Sequence, residues 1–215
     1  MFSGHYEEWQ KSRTLALEKY LNPDFFREKT VHELGCGYAY FSEYALKKGA
    51  NHAFASDVRV EHLKVVEQKK IPHLTVLCVD ADKPLEFQKV NVVIHFGLLY
   101  HLENADFHLD QLKNVADYLL LETEVCNSTK VDILSTHEDG FDQAFGHKGC
   151  RPSQKYVEER LTKAGFDFVC IKDKILNTAW HVYDWEPTEN IPLTWRNGVR
   201  RFWICWKKDL ESPLK

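Results

Sequence analysis

The 215-residue sequence has little methionine: one residue, the first. It has no Cys-x-x-Cys pair, so its six dispersed cysteines (Cys36, Cys78, Cys126, Cys150, Cys170 and Cys205) do not read as a zinc knuckle. Reduced thiols acting as small hydrophobes are the expectation. No apolar run approaches the ~18 residues of a membrane span. The acidic start, Met1-Phe2-Ser3-Gly4-His5-Tyr6-Glu7-Glu8, lacks an apolar signal region, so a cytoplasmic protein is expected. There is no excess of positive charge. The net charge of −4 supplies no global field toward nucleic acid or an anionic membrane. Internal repeats and Gly/Ser linkers are also missing, which predicts a single domain over residues 1–215. Hydrophobic residues at 44% and charged residues at 28% exclude a disordered chain. A chain of this length buries roughly 70% of its unfolded surface and needs no covalent staples.

What is present is an alternation of strand-like and helix-like runs. Residues 5–21 predict a helix with Tyr6, Trp9 and Arg13 on one face, part of an N-terminal helical cap over 1–30. Short apolar runs at 31–34, 52–57, 74–79, 91–96 and 118–123 predict strands. Between them, 38–48, 59–69 and 104–116 predict helices. The expected apolar faces are Val60, Leu63 and Val66 in the second of these, and Phe107, Leu109 and Leu112 in the third. Residues 153–164 predict a further helix, with Ser153 as N-cap and Gly165 just past its end. Strands at 167–172 and 200–206 follow, with no helix between them, and should run antiparallel. Continuous apolar strands separated by helices specify an α/β fold: a doubly wound, mostly parallel seven-stranded sheet with helices on both faces and an antiparallel last strand. Two long insertions, 126–152 and 173–199, have no clear period. They are expected to form the substrate side, at the edge of the sheet where open α/β folds bind ligands.

The first strand turns into its helix through Glu33-Leu34-Gly35-Cys36-Gly37-Tyr38-Ala39-Tyr40. Glycines there let the backbone turn tightly and approach a ligand, and the helix N-terminus favours an anionic group. Asp57 follows twenty residues after Gly37, where a carboxylate can accept both hydroxyls of a ribose. A nucleoside-bearing cofactor is implied. A dinucleotide fingerprint would need glycine at Tyr40, and no Gly-Lys-Ser/Thr follows for a P-loop.

The segment resembles the E-x-G-x-G motif of the class I S-adenosylmethionine-dependent methyltransferases, with Ala39 where that family often has a third glycine. The likeness extends over about residues 30–172 and the last strand. It implies S-adenosylmethionine as cofactor, near Glu33, Gly35 and Gly37. It places Asp57 on the ribose, Asp80 and Ala81 on the adenine, and Phe96 near the end of strand four. The stretch Gly97-Leu98-Leu99-Tyr100-His101 is similar to a subgroup that includes tRNA wobble-uridine transferases and small-molecule methyltransferases. In that subgroup an aromatic and a cation ahead of strand one touch the cofactor's amino-acid end, which implies Trp9 and Arg13.

For the chemistry, His101 is the candidate general base, because imidazole titrates near working pH. Tyr100 is the candidate orienting group, and Glu122 and Glu124 are secondary bases. His137, Glu138, Asp139, Asp142 and His147 match no standard ligand set and read as solvated loop, so no metal is expected. The sequence holds six tryptophans, and Trp180, Trp185, Trp195, Trp203 and Trp206 crowd into its last part. Trp203 and Trp206 fall in the last strand and read as core. Trp180, His181, Arg196 and Arg200 are the candidate substrate residues, since aromatic faces and guanidinium forks suit a planar or sugar-like acceptor. The leading expectation is O-methylation of a small hydroxyl-bearing metabolite or sugar. The alternatives are a tRNA methyltransferase, with tryptophans stacking on bases, and a non-catalytic cofactor-binding relative. A carboxylated cofactor would be signalled by an Arg or Lys reaching the sulfonium side.

Overall fold

The computed structural model describes residues 4–140, 143–188 and 199–215. Nine strands and five α-helices are formed by the described residues. They are α1 (Gly4–Tyr20), β1 (Thr30–Leu34), α2 (Tyr40–Lys47), β2 (His52–Asp57), α3 (Val60–Gln68), β3 (Leu74–Cys78), β4 (Val90–Phe96), α4 (Ala105–Val115), β5 (Ala116–Glu124), β6 (Ile133–His137), β7 (Lys148–Pro152), α5 (Gln154–Lys163), β8 (Phe166–Ile171) and β9 (Arg200–Lys207). Seven strands make one sheet in the order β3-β2-β1-β4-β5-β9-β8. The pairs from β3 to β5 are parallel, and β9 runs antiparallel to both β5 and β8.

The continuous apolar strands follow from burial on both faces. Val93, Leu119, Leu121 and Trp203 pack with Leu109 and Leu112 of α4 and Val157 and Leu161 of α5. Val92, Ile94, Leu120 and Ile204, one residue out of phase, pack on the other face with Leu17 of α1 and Phe41 and Ala45 of α2. Ser153 caps α5, its side chain accepting from the Tyr156 backbone N–H, and Gly165 takes the positive φ (78°) that ends the helix. No helix among the described residues is long and apolar enough to cross a membrane.

Three sequence expectations are corrected. Val60 and Phe107 are exposed, because α3 and α4 turn His62 and His108 inward in their stead. Trp206 is half-buried while Trp203 is fully buried, since β9 is buried from Arg200 to Cys205 and emerges only at its last two residues. The insertion at 126–152 is not structureless. It holds the antiparallel hairpin of β6 and β7, paired from Ile133–Pro152 to His137–Lys148. Its short, half-exposed strands carry Ser, Thr, His, Lys, Gly and Arg, so no hydrophobic period announced them.

The parallel strands also bury three histidines. His32 contacts Ser56 Oγ through Nε2 at 2.9 Å, and His95 Nε2 meets His108 Nε2 at 2.8 Å. His108 Nδ1 lies 2.9 Å from the Ala81 carbonyl, which accepts its proton. The Nε2 of His108 is then an acceptor, so His95 donates and both rings are neutral. Burial lowers His32 to about 3 and His108 to about 4, and holds His95 well below its ordinary value. An unfolded chain binds protons at these rings below its ordinary histidine pKa, while the native chain does not. Stability is therefore complete above that value and is lost as the pH falls through it. At pH 5 the loss is about 2 kcal/mol each for His32 and His108. Glu33, which burial raises to about 7, works in the opposite direction and offsets part of it. Urea unfolding at pH 7.5 and pH 5 is expected to show lower stability at pH 5, with a smaller drop in His32→Gln. Equal stability at the two values would refute the assignment.

Candidate active site

β1 ends in a left-handed turn. Gly35 has φ 63°, and a Cβ on it would come within 3.0 Å of the Leu98 side chain. Gly37 has φ 51°, and Ala39 itself sits at φ 60° as the residue before α2, which explains why a glycine is common at such a position. The Gly37 N–H donates to Asp57 Oδ2 at 3.0 Å, and the Arg59 N–H donates to Asp57 Oδ1 at 2.8 Å. Burial pushes the Asp57 carboxyl up, but its neighbour His62 and these two N–H groups outweigh that and hold it below its usual value. A carboxylate has about four lone-pair sites, so Asp57 keeps acceptor capacity for a ligand beside these neighbours. Glu33 lines the same cavity, yet its carboxylate faces α2 and accepts from the Phe41 N–H, the Ser42 N–H and the Ser42 hydroxyl. It secures the helix N-terminus behind the turn.

One elongated cavity runs over the C-terminal ends of β1, β2, β3 and β4. Its lining includes Trp9, Glu33, Gly35, Gly37, Asp57, Asp80, Ala81, Phe96, Tyr100, His101, His181 and Arg200. The structure thus brings together most of the sequence-selected residues. Asp80 shapes the turn after β3, its Oδ1 accepting the Asp82 N–H at 3.0 Å. Gly97 (φ 71°) leaves room for the Trp9 ring, which lies 3.2 Å from where a Cβ would stand. This arrangement fits a nucleoside joined to an amino-acid tail. It offers a charged acceptor at one end, a glycine turn free of side chains, and an aromatic and cationic far end.

Two selected residues are placed otherwise, and a third lies outside the described residues. Arg13 is fully buried and is not in the cavity lining. It stacks on Trp9 (3.8 Å to the ring centroid), donates to the Trp9 carbonyl (2.8 Å) and Tyr183, and pairs with Glu122 at 3.0 Å. Trp180 is 68% exposed and outside the lining. Arg196 lies outside the described residues. Of the secondary bases, Glu122 is fully buried between Arg13 and Arg200, and it also accepts from Tyr183 Oη at 2.7 Å. Burial alone would raise its pKa, but the two guanidiniums hold it at about 2, too acidic to take a proton. Glu124 pairs with Arg151 at 3.2 Å.

Tyr100 stands between two guanidiniums, Arg200 at 4.7 Å and Arg151 at 5.0 Å from its ring centroid. Arg200 also donates to the Tyr100 hydroxyl at 3.0 Å, and its Nε is buried without a hydrogen-bond partner among the described residues. His101 Nδ1 is hydrogen-bonded to Glu138. Burial lowers the His101 pKa, Glu138 partly restores it, and Arg151 and Arg200 lower it further, so the ring is a neutral base at pH 7. No local pattern points to Tyr183, Arg151 or the inward placement of Glu138, because each acts through contacts with other segments of the chain. Gln143 and Phe145 also border the cavity, and Arg59 donates to the Gln143 carbonyl from across it.

The family described as a methyltransferase domain matches residues 32–117. A tRNA U34 carboxymethyltransferase of Shewanella woodyi is 28% identical over 196 residues, 86% of this chain and 57% of its own length. One from Shewanella sediminis gives the same identity and coverage. The chain therefore spans little more than half the length of these curated relatives. Among solved structures, the N-terminal domain of EvdMO1, crystallised with SAH and D-fucose, superposes with a TM-score of 0.70 at 14% identity. That match covers 95% of this chain and 84% of EvdMO1's. An S-adenosylmethionine-dependent methyltransferase from Mesorhizobium loti gives a TM-score of 0.60 at 13% identity, over 85% and 92% of the two chains. At such identities the likeness is one of fold. Residues 32–117 match the methyltransferase-domain family, and the sheet that carries them has the Rossmann-like fold seen in these solved S-adenosylmethionine-dependent methyltransferases.

Proposed function

We propose that the chain uses S-adenosylmethionine to alkylate a hydroxyl-bearing acceptor, with His101 as general base. The observation that carries this reading is the buried His101–Glu138 pair on the wall of the cofactor cavity. Asp57 would hold the ribose, the Asp80–Ala81 turn the adenine, and Trp9 the amino-acid end. The cofactor supplies a sulfonium-bound carbon for in-line displacement, and proximity alone is worth roughly 7–11 kcal/mol in such a step. His101 takes the acceptor proton, Tyr100 orients the acceptor, and His181 and Arg200 border its approach. With the net charge at −4, a small metabolite or sugar is the acceptor the chain suits best.

A second reading is favoured by one specific feature, the Arg200 Nε left without a partner beside Tyr100 in the cavity. A guanidinium there suits a carboxylate on the transferred group or the acceptor. The curated relatives are carboxymethyltransferases of tRNA U34. Under this reading the chain would act on tRNA with a carboxylated cofactor. Label transfer from radiolabelled S-adenosylmethionine to a panel of sugars and phenols tests the first reading, and label transfer from the carboxylated cofactor to unfractionated tRNA tests the second. On the favoured acceptor, His101→Gln is expected to slow transfer about 100-fold or more, with cofactor affinity unchanged. A variant that turns over at the wild-type rate would end the general-base assignment. Steep loss of tRNA binding with added salt would support the second reading, and a flat response would oppose it.

A further inference from the structure

Glu138 lies one residue past β6, in a hairpin whose acids and histidines read as solvated loop. Yet it is 4% exposed. Its Oε2 accepts from His101 Nδ1 and from the Ala144 N–H at 2.9 Å, and its Oε1 forms an ion pair with an Arg151 guanidinium nitrogen at 2.8 Å. The hairpin is docked closely at this point. A Cβ on Gly149 of β7 would stand 2.5 Å from the Tyr100 carbonyl and 3.1 Å from Glu138 Cδ, so only glycine lets β7 pass. The His101 ring is held between this carboxylate and the Tyr100 ring, with ring centroids 3.9 Å apart. A neutral imidazole that gives its Nδ1 proton to a carboxylate keeps its lone pair on Nε2.

We propose that Glu138 is a positioning residue: it fixes His101 in the Nδ1–H tautomer, so that Nε2 is the nitrogen available to the acceptor hydroxyl. This rests on the general-base reading above. In the step so arranged, the acceptor O–H bond breaks and its proton goes to Nε2. The acceptor oxygen bonds the transferred carbon, and that carbon's bond to sulfur breaks, leaving the electron pair on sulfur. Arg151 ties the arrangement together, since it pairs with Glu138 and Glu124 and also donates to the Tyr100 carbonyl at 3.2 Å. The charged groups that act on His101 are Glu138 and Arg151 from the hairpin and Arg200 from β9. Glu138 alone among them favours the protonated ring. Burial works to raise the Glu138 pKa, but His101 and Arg151 hold it at about 2, so it stays ionised throughout the working range.

The test is a long-range ¹H–¹⁵N spectrum of histidine-labelled protein with S-adenosylhomocysteine bound, the His101 signals assigned by their loss in His101→Gln. In the wild type the neutral ring should show the Nδ1–H tautomer. Glu138→Gln should move the His101 titration to lower pH, and Glu138→Asp should return it toward wild type. Both variants should remain folded at the assay temperature and keep the S-adenosylhomocysteine affinity within about twofold of wild type. Transfer by Glu138→Gln should be slowed, and the double variant with His101→Gln should be no slower than His101→Gln alone. An Nε2–H tautomer in the wild type, or an unmoved titration in Glu138→Gln, would overturn the proposal by itself. A His101→Gln variant with wild-type turnover would instead overturn the general-base reading, and the proposal with it.

Discussion

Asp57→Ala is expected to weaken binding of S-adenosylhomocysteine by about 100-fold, the largest loss of any single change in the cavity. Hydrogen bonds to a charged group contribute about 1.5–3 kcal/mol each, and about 3 kcal/mol corresponds to two decades of affinity. The side chain is 6% exposed and already pinned by two backbone N–H groups, so its direction is set before any ligand arrives. Preorganisation of this kind makes its loss costly, because the ligand meets no competing rearrangement. The alanine variant also releases the Gly37 N–H, which loosens the turn between β1 and α2. Asp57→Asn retains acceptor capacity and should fall between the two. Calorimetric titration of all three proteins decides the matter, and an affinity in Asp57→Ala within threefold of wild type would remove the ribose assignment.

The largest loss of stability is expected from Glu122→Gln. Glu122 is fully buried and counters Arg13 at 3.0 Å and Arg200 at 3.1 Å. Breaking a buried pair by removing one partner costs about 3–5 kcal/mol, because the remaining charge keeps its desolvation penalty. Here two guanidiniums are left behind, and the Nε of each already has no hydrogen-bond partner among the described residues. For a domain of this size the melting temperature should fall by about 10 °C. Exchanging Arg13 for methionine in the same chain should recover part of the loss, since one stranded cation is then gone. A Glu122→Gln variant melting with the wild type, in the same scan, would show that the cluster is not the keystone that its burial implies. The change should also disturb the cavity, because Arg200 reaches Tyr100 from this cluster.

The parts of the site that were legible in the sequence are short-range. Gly35, Gly37 and Asp57 lie within one β-α-β unit, where a strand, a tight turn and a helix start leave few options for the chain. Asp80, Ala81 and Phe96 follow from the same order of elements. Arg13 and Trp9 were legible only as a pair on one helix face. Packing then separated them, with Trp9 in the cavity wall and Arg13 behind it. Trp180 shows the reverse failure. An aromatic residue in a long connection looks like a ligand contact, yet this side chain points to solvent. Glu122 and Glu138 were misjudged for one reason. A carboxylate's acidity depends on which cations surround it, and their partners come from 13 to 109 positions away in sequence.

The sequence by itself determined the sheet. Apolar runs of strand length, helix-period faces and their alternation fix a parallel, two-sided architecture, because hydrophobic burial depends on residue type and local period. It also determined the end of the cavity at the β1–α2 turn, where glycines and an acid stand at set distances. Tertiary structure alone decided the chemistry at the other end. There the hairpin of β6 and β7 swings Glu138 onto His101. β9, entering antiparallel beside β5, sets Arg200 across from Glu124 and brings its guanidinium to Glu122. Charge and hydrogen-bond pairing act over a few ångströms, so which groups pair is settled only when the topology brings distant segments together.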